Sequence, residues 1–283
     1  MKGWITILLL FILYIGVVFY TVNYSKLFKP SKKIVDFIQS PTEETMLDGI
    51  SVARFENNPM SSTILFCHGN SGNVTNRNYM IRLCKMVDLN LVLFDYSGYG
   101  RSEGTPRTRK ILKDGKKVLN WTLLRVPEDK LIIWGESLGG SIASYLASKK
   151  KCSKLILFAT FASLNHLAFG KDNKTWWKLP IQSLLNIFIH PLPTKHWLTK
   201  SIVPTLIVHS RDDELISVQH ARMMKNIDPR RINLLEIQGG HGTPKVCKSD
   251  LDVIMSFCGV QNFVNHDVCL NIFDNVGKEI WVE

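Results

Sequence analysis

The sequence predicts an α/β domain built on a mainly parallel eight-stranded sheet with helices on both faces, a helical lid insertion and one N-terminal transmembrane helix. Three observations lead there. Residues 4–22 form one uncharged apolar run, short apolar runs alternate with helix-period stretches from residue 45 onward, and a serine framed by glycines stands between one such run and one such helix. Composition alone says less. With 45% apolar and 21% charged residues the chain is not disordered, and a mean hydropathy of +0.03 is that of an ordinary globular protein.

The run WITILLLFILYIGVVFYTV at 4–22 is interrupted only by Thr6, Gly16 and Thr21. As a helix it covers about 28 Å, close to the roughly 30 Å of a hydrocarbon core, and backbone polarity requires such a span to be helical. Trp4, Tyr14, Tyr20 and Tyr24 set amphipathic rings near its ends, with lysines just beyond. A cleaved signal peptide would end in small residues, and a soluble core helix would be less uniformly apolar. The run therefore reads as an uncleaved anchor.

The charge follows it. Of a net +11, Lys2, Lys26, Lys29, Lys32 and Lys33 supply +5 within 33 residues that hold no acid, leaving +6 for residues 34–283. The basic balance thus points to a membrane surface, where each lysine adds about 1 kcal/mol of attraction to anionic lipid, and not to nucleic acid. The chain divides into an anchor with a basic linker at 1–33 and a folded domain at 34–283. Four lysines after the span against one before it place that domain on the cytosolic side, while the sequons at Asn73, Asn120 and Asn173 count for a lumenal one.

Within the domain, runs at 63–67, 91–95, 130–134, 154–159, 205–209 and 232–237 read as buried strands, near-continuous in Leu, Ile and Val. Stretches 33–38 and 50–55 read as antiparallel strands leading into the sheet. Helix-period stretches fall at 74–87, 108–124, 138–149 and 217–227. A 44-residue excursion at 160–203, with the segments TWWKLP and IQSLLNIFIH, breaks this rhythm and reads as a lid over a site. The six cysteines (Cys67, Cys84, Cys152, Cys247, Cys258, Cys269) show no CxxC or metal-ligand spacing, and Cys67 and Cys84 fall where buried reduced thiols belong.

Gly135-Glu136-Ser137-Leu138-Gly139-Gly140 directly follows the run at 130–134 and opens the helical stretch at 138–149. A G-x-S-x-G turn in that context strains its serine and lifts the hydroxyl above the sheet edge. It leaves the Leu138 N–H at a helix N-terminus, where developing negative charge is stabilised. Ser137 is the candidate nucleophile. After the run at 63–67 comes His68-Gly69-Asn70-Ser71-Gly72-Asn73, a turn that can offer a second backbone N–H, from Asn70, to complete an oxyanion hole with Leu138. A phosphate-binding loop is the rival reading, but its Lys-Ser/Thr is missing. His68, at a strand end before a glycine turn, suits bracing better than proton transfer.

When such a turn carries a serine triad, the acid and then the histidine follow it along the chain. Asp212 and Asp213 come after the run at 205–209, with Asp213 preferred, and His241 comes after the run at 232–237, between Gly240 and Gly242. His220 lies within a helical stretch and His266 lacks a strand before it. The predicted chemistry is nucleophilic. Ser137 attacks an acyl carbonyl, His241 takes its proton, Asp213 fixes the imidazole tautomer, and water later releases the acyl group. No cofactor loop is visible.

HGNSGN at 68–73, FDYSGYGRSEG at 94–104, GESLGG at 135–140, DELI at 213–216 and GGHGT at 239–243 run in unbroken order. In these motifs the chain, from about residue 30 to 258, resembles the membrane-anchored alpha/beta-hydrolase domain-containing serine hydrolases. The resemblance implies an alpha/beta-hydrolase fold, favours Asp213 over Asp212, and assigns Asp95, Tyr96, Gly98 and Gly100 to a structural turn. It also implies substrates that are acyl esters or thioesters of lipids or lipid-modified proteins. Two departures stand out. His241 is followed by Gly242-Thr243 where the family has Asn-Asp/Glu-Thr, which predicts a looser histidine loop, and Ser217 stands where the family often has Pro. The expectation is a membrane-anchored serine hydrolase whose partners are a membrane and a lipid or acylated-protein substrate. A serine peptidase on the same fold and a catalytically silent membrane scaffold are the alternatives, and the sequence is silent on oligomeric state.

Overall fold

The computed structural model describes residues 27–169 and 192–261, with isolated positions nearer the two ends. Most of the apolar run at 4–22 lies outside the described residues, as do Asn173, His266 and the middle of the excursion at 160–203. Among the described residues no helix is long and apolar enough to cross a membrane.

The described strands are β1 Lys29–Pro30, β2 Glu43–Leu47, β3 Ile50–Phe55, β4 Thr63–Cys67, β5 Ser71–Gly72, β6 Asn90–Phe94, β7 Leu131–Glu136, β8 Lys154–Phe158, β9 Thr205–Ser210, β10 Ile232–Gly240 and β11 Thr243–Lys245. The helices are α1 Asn78–Met86, α2 Thr108–Leu123, α3 Leu138–Ala147, α4 Leu164–Phe169, α5 Thr194–Thr199, α6 Gln219–Lys225 and α7 Lys248–Cys258. Nine strands make one sheet in the order β11-β10-β9-β8-β7-β4-β6-β3-β2. From β10 to β6 all neighbours are parallel, β3 pairs antiparallel with β6 and β2, and β11 folds back on β10.

Side chains of the central strands alternate between two buried layers. Ile64 and Phe66 of β4 join Met80 and Leu83 of α1 and Leu251, Ile254 and Met255 of α7. Leu65 and Cys67 join Ile111 and Val118 of α2 and Ile142 and Leu146 of α3 on the other face. Each large apolar side chain so buried contributes about 1.5–3 kcal/mol, which is why the runs read as continuous instead of alternating.

The eight-stranded expectation needs correcting at the edges. Residues 33–38 are apolar enough for a strand, but their backbone bonds to side chains: Val35 N–H donates to Thr75 Oγ1 at 3.0 Å and Ile38 N–H to Asn78 Oδ1 at 3.1 Å. The edge position goes to β2, half exposed and polar, and a ninth strand, β11, follows the histidine turn. Ser137, Asp213 and His241 all follow the carboxyl ends of parallel strands (β7, β9 and β10), along one edge of the sheet where such folds bind ligands.

Candidate active site

Ser137 bridges β7 and α3 with φ 51° and ψ −116°, a conformation that costs a non-glycine residue energy and persists only where its surroundings enforce it. Its N–H donates to Phe158 O at 2.8 Å, and its carbonyl accepts from the Gly140 N–H at 3.1 Å and from the Thr160 hydroxyl. The flanking glycines are steric requirements. A Cβ on Gly135 would lie 2.4 Å from Gly139 O, and one on Gly139 would lie 1.9 Å from Cys67 O.

Asp213 is buried in the turn after β9, where its Oδ1 accepts from the Leu215 N–H at 2.9 Å and the Ile216 N–H at 2.7 Å. Its Oδ2 faces His241 Nδ1 at 2.8 Å, and His241 Nε2 lies 3.1 Å from Ser137 Oγ. The three predicted residues are therefore joined in one line. Asp212 is exposed. With Asp213 as acceptor, the His241 proton sits on Nδ1 and Nε2 offers its lone pair to the hydroxyl. Burial pulls the imidazole pKa down. The hydrogen bond to Asp213 and the negative charges of Asp213, Glu136 and Glu214 outweigh it, and the net shift is upward from the ordinary 6.5.

The histidine loop is not loose. β10 and β11 pair with Gly240 opposite Thr243, so His241 and Gly242 form a two-residue hairpin turn. The His241 N–H also donates to Glu214 Oε2 at 3.0 Å. A carboxylate from the acid loop thus pins the turn, and Gly239 at φ +95° leads the strand into it.

Leu138 is the first residue of α3. Asn70 lines the same polar cavity as Lys29, Ser71, Glu136, Ser137 and His241. A second, apolar cavity meets the first at Glu136 and His241 and is walled by Tyr79, Met80, Trp134, Phe158 and Pro244. Among the described residues no group of three or more His, Cys, Asp or Glu side chains is placed to hold a metal ion.

His68 braces, as its position suggested. It is fully buried, 4.2 Å from the Tyr96 ring, with Nδ1 against Gly69 O at 2.7 Å. Burial and the nearby Arg77 charge lower its pKa to about 3 against the opposing pull of that backbone bond, so it stays neutral. His220 is buried in α6, where its Nδ1 accepts from the Ala162 N–H at 3.2 Å. Several site residues carried no signal in the sequence. Besides Glu214, Glu136 accepts from the Tyr79 hydroxyl and lies 3.7 Å from the Nε of fully buried Arg77. His209, also buried, stands 3.4 Å behind Asp213 Oδ2. Asn73 is buried, its Nδ2 bonded to Ser31 O and Lys33 O, which closes that sequon to a glycan in the folded chain.

The family model described as alpha/beta hydrolase fold matches residues 62–193. Alpha/beta hydrolase domain-containing protein 17C from Xenopus tropicalis is 27% identical over 213 residues, 73% of this chain and 62% of the relative. Its Homo sapiens counterpart shows the same identity, with 59% of the relative covered. The chain thus spans less than two thirds of these relatives' length. Among solved structures, a Pyrococcus furiosus esterase superposes with a TM-score of 0.58 at 18% identity, covering 76% of this chain and 90% of that one. Thermogutta terrifontis esterase 2, phosphonylated by sarin, gives 0.60 at 15% identity over 80% of this chain and 98% of that one. At such identities the likeness is one of fold.

Proposed function

Taking this chain as an alpha/beta-hydrolase domain-containing protein, we propose that it is a serine hydrolase that cleaves acyl ester or thioester bonds through Ser137, His241 and Asp213. One observation carries the reading: the continuous line from Ser137 Oγ to His241 Nε2 at 3.1 Å and from His241 Nδ1 to Asp213 Oδ2 at 2.8 Å. Ser137 Oγ attacks the acyl carbonyl while His241 Nε2 takes its proton, and Asp213 stabilises the imidazolium. The oxyanion is met by the backbone N–H groups of Leu138 and Asn70, either of which is worth about 2.7–4 kcal/mol in the transition state. His241 returns the proton to the leaving oxygen or sulfur, and water then repeats the sequence on the acyl-enzyme.

The apolar cavity beside His241 supports an acyl chain on that side and the polar cavity a hydrophilic leaving group on the other. The uncharged run at 4–22 with its lysines supports a membrane anchor, a hydrolase domain at 34–283 facing the cytosol and a lid at 160–203. Lipids or acylated proteins of that membrane are then the substrates. A fluorophosphonate probe is expected to label the full chain and not the Ser137→Ala variant, which should also lose all turnover across a series of acyl esters and thioesters. Equal labelling of the two proteins would overturn the assignment.

A further inference from the structure

The first residues of the continuously described stretch, 27–31, are laid across the loop that carries Asn70. β1 runs parallel to β5, with Lys29 opposite Ser71 and Pro30 opposite Gly72. The Lys29 N–H donates to Asn70 Oδ1 at 3.3 Å, and Asn70 Nδ2 donates back to Leu27 O at 2.9 Å. One side-chain amide therefore closes a reciprocal pair with the crossing backbone. The Ser31 N–H donates to Gly72 O at 3.2 Å, while Ser31 O accepts from the Gly100 N–H at 2.9 Å and from Asn73 Nδ2 at 3.1 Å. Phe28 is sunk into the core and holds the crossing down. From the other side, the Tyr99 hydroxyl donates to Asn70 O at 3.0 Å and Oδ1 at 2.9 Å.

We propose that residues 27–31 are a positioning strap: through the Asn70 side chain they fix the peptide whose N–H meets the oxyanion. The proposal rests on the serine-hydrolase reading and extends the catalytic geometry into the basic linker itself. An oxyanion donor works because its direction is set before charge develops. The loop from Gly69 to Gly72 cannot supply that rigidity alone, since glycines at both ends, Gly72 at φ +77°, leave its peptides free to turn. The strap and Tyr99 hold the Asn70 amide between them, and the backbone N–H follows the side chain that is held. Asn70 thus has two tasks, a backbone donor toward substrate and a side-chain handle for the strap.

The test is a double-mutant cycle in the full chain in detergent, with p-nitrophenyl butyrate as substrate. Lys29→Pro deletes the N–H that reaches Asn70, and Asn70→Ala removes the handle while keeping the backbone donor. Each is expected to lower kcat by about tenfold or more with KM within about twofold, the pattern of a misplaced transition-state contact. In the double variant the two losses should not multiply, staying within about twofold of the worse single. Affinity for a boronic acid that mimics the tetrahedral state should fall in step with kcat/KM. Ser31→Pro, which deletes the bond to Gly72 O, tests the strap at a second point should Lys29→Pro fail to fold.

Unchanged kcat in the single variants overturns the proposal, as do losses that multiply in the double variant alongside a falling thermal midpoint, the mark of plain packing. Fluorophosphonate labelling separates the two levels. An unlabelled, inactive wild type sinks the parent reading and the strap with it, whereas a labelled, active wild type with unaffected strap variants sinks the strap alone.

Discussion

Asp212 and Asp213 are neighbours in sequence, and only the second is shielded. Asp213 is held by two backbone N–H groups and turned toward His241, whereas Asp212 is exposed. Asp213→Asn should keep the fold but favour the wrong imidazole tautomer, lowering kcat by about 10⁴-fold, while Asp212→Asn stays within about twofold. Steady-state kinetics on the two variants decides between them. The pH profile follows from the same surroundings. His241 must be neutral to accept the Ser137 proton, and its pKa lies above 6.5, so kcat/KM should fall as pH drops through a midpoint above that value. Glu214→Gln removes one of the charges that raise it and should move the midpoint down; an unmoved midpoint would deny Glu214 that influence. The three residues of the proposed triad could be picked out of the sequence because each follows its own apolar run, and the fold brings their side chains together. Glu214 and His209 could not be, since a bond from Glu214 to a backbone N–H 27 residues away leaves no local pattern.

At the level of elements, strands buried on both faces announced themselves, and the edges did not. β4, β6, β7, β8 and β9 are buried nearly throughout, so their composition was enough. Residues 33–38 share that composition, but their backbone is satisfied by Thr75 and Asn78 side chains, which no propensity encodes. β2 is strand only because β3 offers it a ladder, and its exposed, polar face hid it. The strand–turn–helix around Ser137 is the most constrained element. Gly139 backs onto the Cys67 and His68 carbonyls, where backbone cannot retreat without opening β4 from α3. Gly139→Ala is therefore expected to destabilise the domain by about 3 kcal/mol or more and to abolish fluorophosphonate labelling, as read by urea unfolding and by gel. A variant of wild-type stability that still labels would show that the turn has slack the geometry denies.

For the whole molecule, the strap changes what the basic linker can do. Lys29 is bonded to the Asn70 loop, and six residues separate it from Val22 at the end of the proposed anchor, so the seven chain steps between them reach at most about 25 Å even when fully extended. An anchored domain would therefore carry its catalytic serine within a short tether of the bilayer, facing acyl groups of that same membrane at high effective concentration. This separates two kinds of substrate. In proteoliposomes, inserting about thirty Gly/Ser residues after Asn23 lengthens the tether to a flexible coil of roughly 30 Å root-mean-square span and leaves the strap intact. Turnover of a long-chain acyl thioester embedded in the bilayer should then drop severalfold, while turnover of water-soluble p-nitrophenyl butyrate stays the same. If both rates hold, the tether does not govern access, and the lysines bind the surface without aiming the site. If both fall, the insertion has disturbed the strap itself, and the boronic acid affinity would fall with them.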